Sequence, residues 1–213
     1  MIEQALQDYL NGGPLYVGEI IVRRVNPRGY VIRHWKDDQQ PDATLARYAD
    51  TTAALEIVRY DAKKKYRPLK GAPNLRRGWE LRVSSVAETR QALDYFYPGA
   101  FATWLAYNRD EVLPVDLRET LQRQTGMYRV TQKLTLPQAE ELAGRFCQSG
   151  SGCLRTILWK IDGHSPRRYL PESKFDSTVD QLGRNYGVIP FLCVEACNLF
   201  VAEARKIIKG PAE

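Results

Sequence analysis

Cys147-Gln-Ser-Gly-Ser-Gly-Cys153 and, after 39 intervening residues, Cys193-Val-Glu-Ala-Cys197 contain all four cysteines of the chain. Scattered core cysteines do not usually gather into two close pairs in the last third of a sequence. The start, MIEQALQDYLNGG, has no apolar signal-peptide core and an acidic residue at position 3, so the expected location is the cytoplasm. In that reducing compartment, paired thiols read as metal ligands before they read as disulfides. The pattern C-x5-C…C-x3-C suits one [4Fe–4S] cluster, with Cys147, Cys153, Cys193 and Cys197 as its ligands.

Each part of the pattern has a physical reading. Pro190 is taken to open a last helix through Lys209. Cys193 and Cys197, four apart on it, would then share one face, with the positive end of the helix near Cys193. Gly150 and Gly152 allow the x5 loop to turn backbone N–H groups toward sulfur. Phe146, Leu154, Trp159, Ile189, Phe191, Leu192, Leu199 and Phe200 supply an apolar surround. Three other readings stay open: a four-cysteine zinc site, two disulfides, and a set of buried thiols. Zinc pairs usually keep two to four residues between cysteines, fewer than the x5 loop.

Outward from the cysteines, Thr135-Leu-Pro-Gln138 is a capping box that starts a helix running into Phe146-Cys147. Leu154 to Ile161 reads as a strand, and helices are expected over 86–97, 98–109 and 117–125. The first part differs. A short helix over 2–10 precedes a strand over Leu15–Val25, a turn at Asn26-Pro27-Arg28-Gly29, and a returning strand over Tyr30–Trp35. Leu55–Tyr60 and Trp79–Val83 are further strand candidates. The expected class is therefore α+β. Residues 1–85 form a small, mainly antiparallel sheet unit, and residues 86–213 a mostly helical iron–sulfur domain.

The 213 residues carry a formal charge of +6. Four thiolates around a 2+ cluster core would lower it to about +4. No apolar run is long enough to span a membrane. Lys63, Lys64, Lys65, Arg67, Lys70, Arg76, Arg77 and Arg82, interleaved with Tyr66 and Trp79, form a basic stretch. It admits a nucleic-acid reading, but no nucleic-acid-binding motif accompanies it. Contact with an acidic partner or with the second domain is preferred. Phosphate-loop, dinucleotide, nucleophile-elbow and zinc-protease motifs are missing, so no catalytic motif exists apart from the cluster ligands. Whether the chain is an enzyme stays open, with a non-catalytic role favoured.

The cysteine pattern resembles that of sulfite and nitrite reductases, where a cluster couples to siroheme, but the chain is too short for that fold. A broader resemblance is to CbiX-like (sirohydrochlorin cobaltochelatase-like) proteins, in their stabilising domain and the [4Fe–4S]-binding domain after it. It rests on Tyr66–Glu80 (YRPLKGAPNLRRGWE), Tyr97-Pro98, Arg118–Leu134 (RETLQRQTGMYRVTQKL), Gly152–Lys160 (GCLRTILWK) and Cys193–Arg205 (CVEACNLFVAEAR). The resemblance implies the cluster role for the four cysteines. It also implies a module for electron transfer, or one accessory to a chelatase or other tetrapyrrole enzyme, here without a preceding chelatase domain. The partner would be a redox protein or a chelatase-like protein. The alternatives are a siroheme-linked redox enzyme, with Cys197 nearest the macrocycle, and a zinc-stabilised nucleic-acid module. Arg118, Arg123, Tyr128, Arg129 and Lys133 could bind tetrapyrrole carboxylates, although an ordinary solvated face is the preferred reading. His164 is expected on a surface loop, since four cysteines leave it unneeded as a ligand.

Overall fold

The computed structural model describes residues 2–26, 29–61, 63–66, 74–148, 153, 155–160 and 187–210. In chain order these form α1 (Ile2–Asn11), β1 (Leu15–Val17), β2 (Ile20–Asn26), β3 (Gly29–His34), β4 (Ala46–Tyr48), α2 (Ala53–Arg59), β5 (Trp79–Val83), α3 (Val86–Phe96) and α4 (Ala100–Asn108). Then come β6 (Val115–Asp116), α5 (Leu117–Gln122), α6 (Leu136–Ala143), β7 (Arg155–Ile157), β8 (Trp159–Lys160), β9 (Val188–Ile189), β10 (Phe191–Cys193) and α7 (Asn198–Lys209). The fold is α+β, as its sequence pattern indicates. Among the described residues, no helix is long and apolar enough to cross a membrane.

Two compact units emerge: Met1–Arg109 with Gln181–Phe191, and Asp110–Asp180 with Leu192–Glu213. The break therefore falls after Arg109, not near Ser85. Helices α3 and α4 belong to the first unit because their apolar sides complete its core. Phe96 of α3 stacks on Trp79 of β5 at 5.1 Å, and the indole of Trp104 in α4 donates to the Tyr9 hydroxyl of α1 at 3.0 Å.

The first unit is built on a six-stranded sheet of order β4-β5-β3-β2-β1-β9. The pairs β1–β2, β2–β3 and β3–β5 are antiparallel, whereas β4–β5 and β1–β9 are parallel. The expected long strand Leu15–Val25 is broken by a turn at Gly18, which has φ +57°. A Cβ there would meet the Tyr97 ring at 2.8 Å, and the next N–H, of Glu19, donates to the Tyr97 hydroxyl at 3.0 Å. Only glycine suits both that φ and that approach.

Of the expected strand Leu55–Tyr60, residues 55–59 are helical, and Tyr60 alone is extended. Ala54, Ile57 and Val58 are buried at helical spacing in α2, and the Asp50 carboxylate accepts the Thr52 N–H at 2.8 Å just ahead of it. Burial of that stripe outweighs the strand preference of Ile57 and Val58.

The described part of the basic stretch is largely paired inside its own unit. Arg77 meets the buried Asp37 at 2.7 Å, Arg76 meets Glu56 at 3.6 Å, and Arg82 meets Asp42 at 2.7 Å and Glu80 at 2.5 Å. Lys63, Lys64 and Lys65 are exposed. Arg67 and Lys70 lie outside the described residues, as do Pro27 and Arg28 of the expected β2–β3 turn.

The second unit packs α5, α6, α7 and a 3-10 helix (Gly126–Lys133) with short strands. Strand β6 pairs in parallel with β8. Its core gathers Leu117, Leu121, Leu134, Leu142, Trp159, Phe200 and Val201 together with Cys147 and Cys193.

Candidate metal centre

The first cysteine is placed by a helix start eleven residues earlier. The Thr135 hydroxyl accepts the Gln138 N–H, and the Gln138 side chain accepts the Thr135 N–H at 2.9 Å, completing the expected capping box. Helix α6 then continues as a π-helical turn, Gly144–Gln148. Such a turn is rare and recurs at functional sites; here it carries Cys147, 9% exposed, into the core. Cys153 is half-buried, and its Sγ accepts the Arg155 N–H at 3.4 Å. Gly150, Gly152 and Leu154 lie outside the described residues, and so does His164.

The second pair departs from the expected helical face. Cys193 ends strand β10, and Cys197 is the N-cap of α7. Phe191, Leu192 and Cys193 are all buried, which favours a short buried strand over a helix with one wet face. The positive end of α7 therefore lies at Cys197, not at Cys193. The Cys197 Sγ accepts the Phe200 N–H at 3.5 Å, the role usually taken by Ser or Asp. The Cys193 thiol donates to the Glu195 carbonyl at 3.2 Å.

A polar clamp holds the loop between these two cysteines. Arg123 donates to the Val194 carbonyl at 2.7 Å and pairs with the Glu195 carboxylate at 3.0 Å. The Gln124 amide donates to the same carboxylate and to the Thr120 carbonyl. Sequence reading missed Gln124 and Glu195, because partners 71 residues apart leave no local signal. Arg118 donates to the Leu134 carbonyl at 2.8 Å, and the Tyr128 hydroxyl donates to the Asn198 side chain. Three members of the suggested carboxylate platform thus hold this unit together, while Arg129 and Lys133 are exposed.

Electrostatics tie the four sulfurs into one neighbourhood. Burial pushes the Cys147 thiol far up, and the other three cysteines push it further. Cys153 is raised mainly by burial, against the opposing Arg155 N–H. Burial takes Cys193 up to about 11, with Arg155 opposing and Cys197 and Cys153 adding. Among the described residues, no three His, Cys, Asp or Glu side chains are grouped to hold a single metal ion. Beside the Cys193–Cys197 loop lies a cleft of about 350 Å³, lined in part by Arg123, Leu158, Trp159 and Val194.

Two family models meet within a residue of the break after Arg109. One for the DR2241 stabilising domain matches residues 2–108, and one for a 4Fe-4S iron-sulfur cluster binding domain matches residues 109–206. The chain belongs to the DR2241 stabilising-domain family. Its second domain binds a [4Fe–4S] cluster, so the zinc and disulfide readings give way. The chain is similar in fold to DR2241 from Deinococcus radiodurans, with a TM-score of 0.72 and 22% identity. The match covers 97% of this chain and 41% of that one. DR2241 is described as a multi-domain protein with structural similarity to chelatases and two additional novel domains. No curated protein matches the chain.

Proposed function

We propose that Cys147, Cys153, Cys193 and Cys197 hold the cluster, and that the chain is a cytoplasmic electron-transfer or accessory protein. Its partner is a redox protein or a chelatase-like or other tetrapyrrole enzyme. The observation that carries this reading is the graded burial of four sulfurs that share one field. Cys147 and Cys193 are 9% and 5% exposed, while Cys153 and Cys197 are half-buried. One side of such a set is dry, and the other is open to a partner.

The residues fit an anionic, sulfur-rich group. The N–H groups of Arg155 and Phe200 reach two of the sulfurs, and α7 turns its positive end toward Cys197. Burial disfavours the thiolate at Cys147, Cys153 and Cys193 while they are unligated; binding iron displaces the thiol protons, and metal binding becomes folding energy. When bound, the cluster supplies one-electron redox chemistry. The protein's part is to hold the thiolates, exclude water from the Cys147 side, and donate hydrogen bonds to sulfur.

The siroheme reading is weaker. The cleft beside the loop is at the lower end of the roughly 300–1,000 Å³ of small-molecule sites, which suits a small ligand or a partner's side chain better than a macrocycle. A nucleic-acid module is weakened by the pairing of Arg76, Arg77 and Arg82 within the first unit.

The test is a dithionite titration of the full chain, purified without oxygen and followed by visible absorption and electron paramagnetic resonance. Bleaching that reverses on reoxidation is expected. A cluster that neither reduces nor reoxidises would leave a structural staple and sink the electron-transfer reading.

A further inference from the structure

Trp159 is 1% exposed, yet among the described residues its indole Nε1–H has no hydrogen-bond partner. Folded chains rarely leave a buried donor in that condition. Two other buried atoms share it, Thr120 Oγ1 and Arg76 Nε. A threonine hydroxyl can rotate to a new acceptor, and Arg76 has its Nη2 engaged with Tyr48 and Glu56. Trp159 has one polar atom, fixed in the ring plane.

The surroundings indicate what the acceptor is. The Leu158 N–H donates to the Cys193 carbonyl at 3.0 Å, so Trp159 is one residue from a backbone bond to a cysteine. Its ring meets Phe200 edge-on, with centroids 5.5 Å apart at 80°, and the Phe200 N–H donates to the Cys197 sulfur. The indole also shares one buried core with Cys147 and Cys193. Trp159 lines the cleft as well, but its Nε1 is sealed from solvent, so an occupant of the open cleft does not meet it.

We infer that the Trp159 indole N–H donates a hydrogen bond to the bound cluster, at an inorganic sulfide or a ligating sulfur. This rests on the four-cysteine reading above. Trp159 is a positioning and tuning residue: a donor to sulfur stabilises the more negative, reduced cluster, and so raises the midpoint potential.

The experiment compares the full-length wild-type chain with Trp159→Phe, which keeps an aromatic ring and removes the N–H. Iron content is measured first. Wild-type chain without iron would sink the cluster reading and this inference with it, before any variant is made. With iron present in both, the variant is expected to show a lower midpoint potential. After exchange into D2O, it is also expected to lose one deuteron coupling from the pulsed magnetic-resonance spectrum of the reduced cluster. Unchanged potential and unchanged coupling would overturn the inference.

Should the variant fail to fold, wild-type chain labelled with 15N at the indole of its four tryptophans answers instead. Cluster insertion is then expected to shift and broaden the Trp159 N–H resonance well beyond those of Trp35, Trp79 and Trp104. Equal, small effects on all four would overturn the proposal.

Discussion

Cys193→Ala is expected to strip the chain of its iron and to loosen the second domain at the same time. Cys193 is the more buried member of its pair, at 5% exposure, and its carbonyl takes the Leu158 N–H. Losing that sulfur leaves the buried Cys147 and the half-buried Cys153 and Cys197 with no complete cluster to compensate their desolvation. Structural zinc gives the scale of metal-coupled folding, about 10–16 kcal/mol for a complete site; one lost ligand forfeits a substantial share. Iron analysis and the melting of the circular dichroism signal read the two effects together. The same bleaching is expected for Cys147→Ala, Cys153→Ala and Cys197→Ala. Full iron content in three of the four single variants would contradict the ligand assignment.

Phe200→Ala is expected to destabilise the second domain by about 3–5 kcal/mol, the usual cost of emptying a fully buried aromatic position. Phe200 is 0% exposed and packs edge-on against Trp159. Its backbone N–H reaches Cys197, and that bond survives the substitution. The variant should therefore load iron but hold it less long. Urea unfolding of the loaded full chain measures the loss, and a change below about 1 kcal/mol would mean that Phe200 is not the keystone its burial indicates.

Features written in local chemistry were legible from sequence. Thr135 and Gln138 are three apart and satisfy each other's backbone groups, so the start of α6 needed no tertiary information. Trp79–Val83 and the helices from Val86 and Ala100 carry patterns that match their burial. The pairing of cysteines pointed to the cluster that the second domain binds.

What stayed hidden depends on distant residues. Nothing local tells Ile57 and Val58 to lie on a helix; their packing in the first unit does. The change to helical patterning at Val86 resembled a domain boundary, yet α3 and α4 complete the core around Trp79, and the true break follows Arg109. Val188–Ile189 joins the first sheet beside β1, some 170 residues away in sequence. The spacing of Cys193 and Cys197 fits a helix face as well as a strand end followed by an N-cap. Buried Phe191 and Leu192 decide for the second arrangement. Acidic partners of Arg77 and Arg82 lie some 40 residues upstream, so the basic stretch looked freer than it is.

The most direct measurement is iron, acid-labile sulfide and zinc analysis of the full chain after anaerobic purification. Four iron and four sulfide per chain, with no zinc, is the predicted result for one [4Fe–4S] cluster. One zinc and no iron would contradict it.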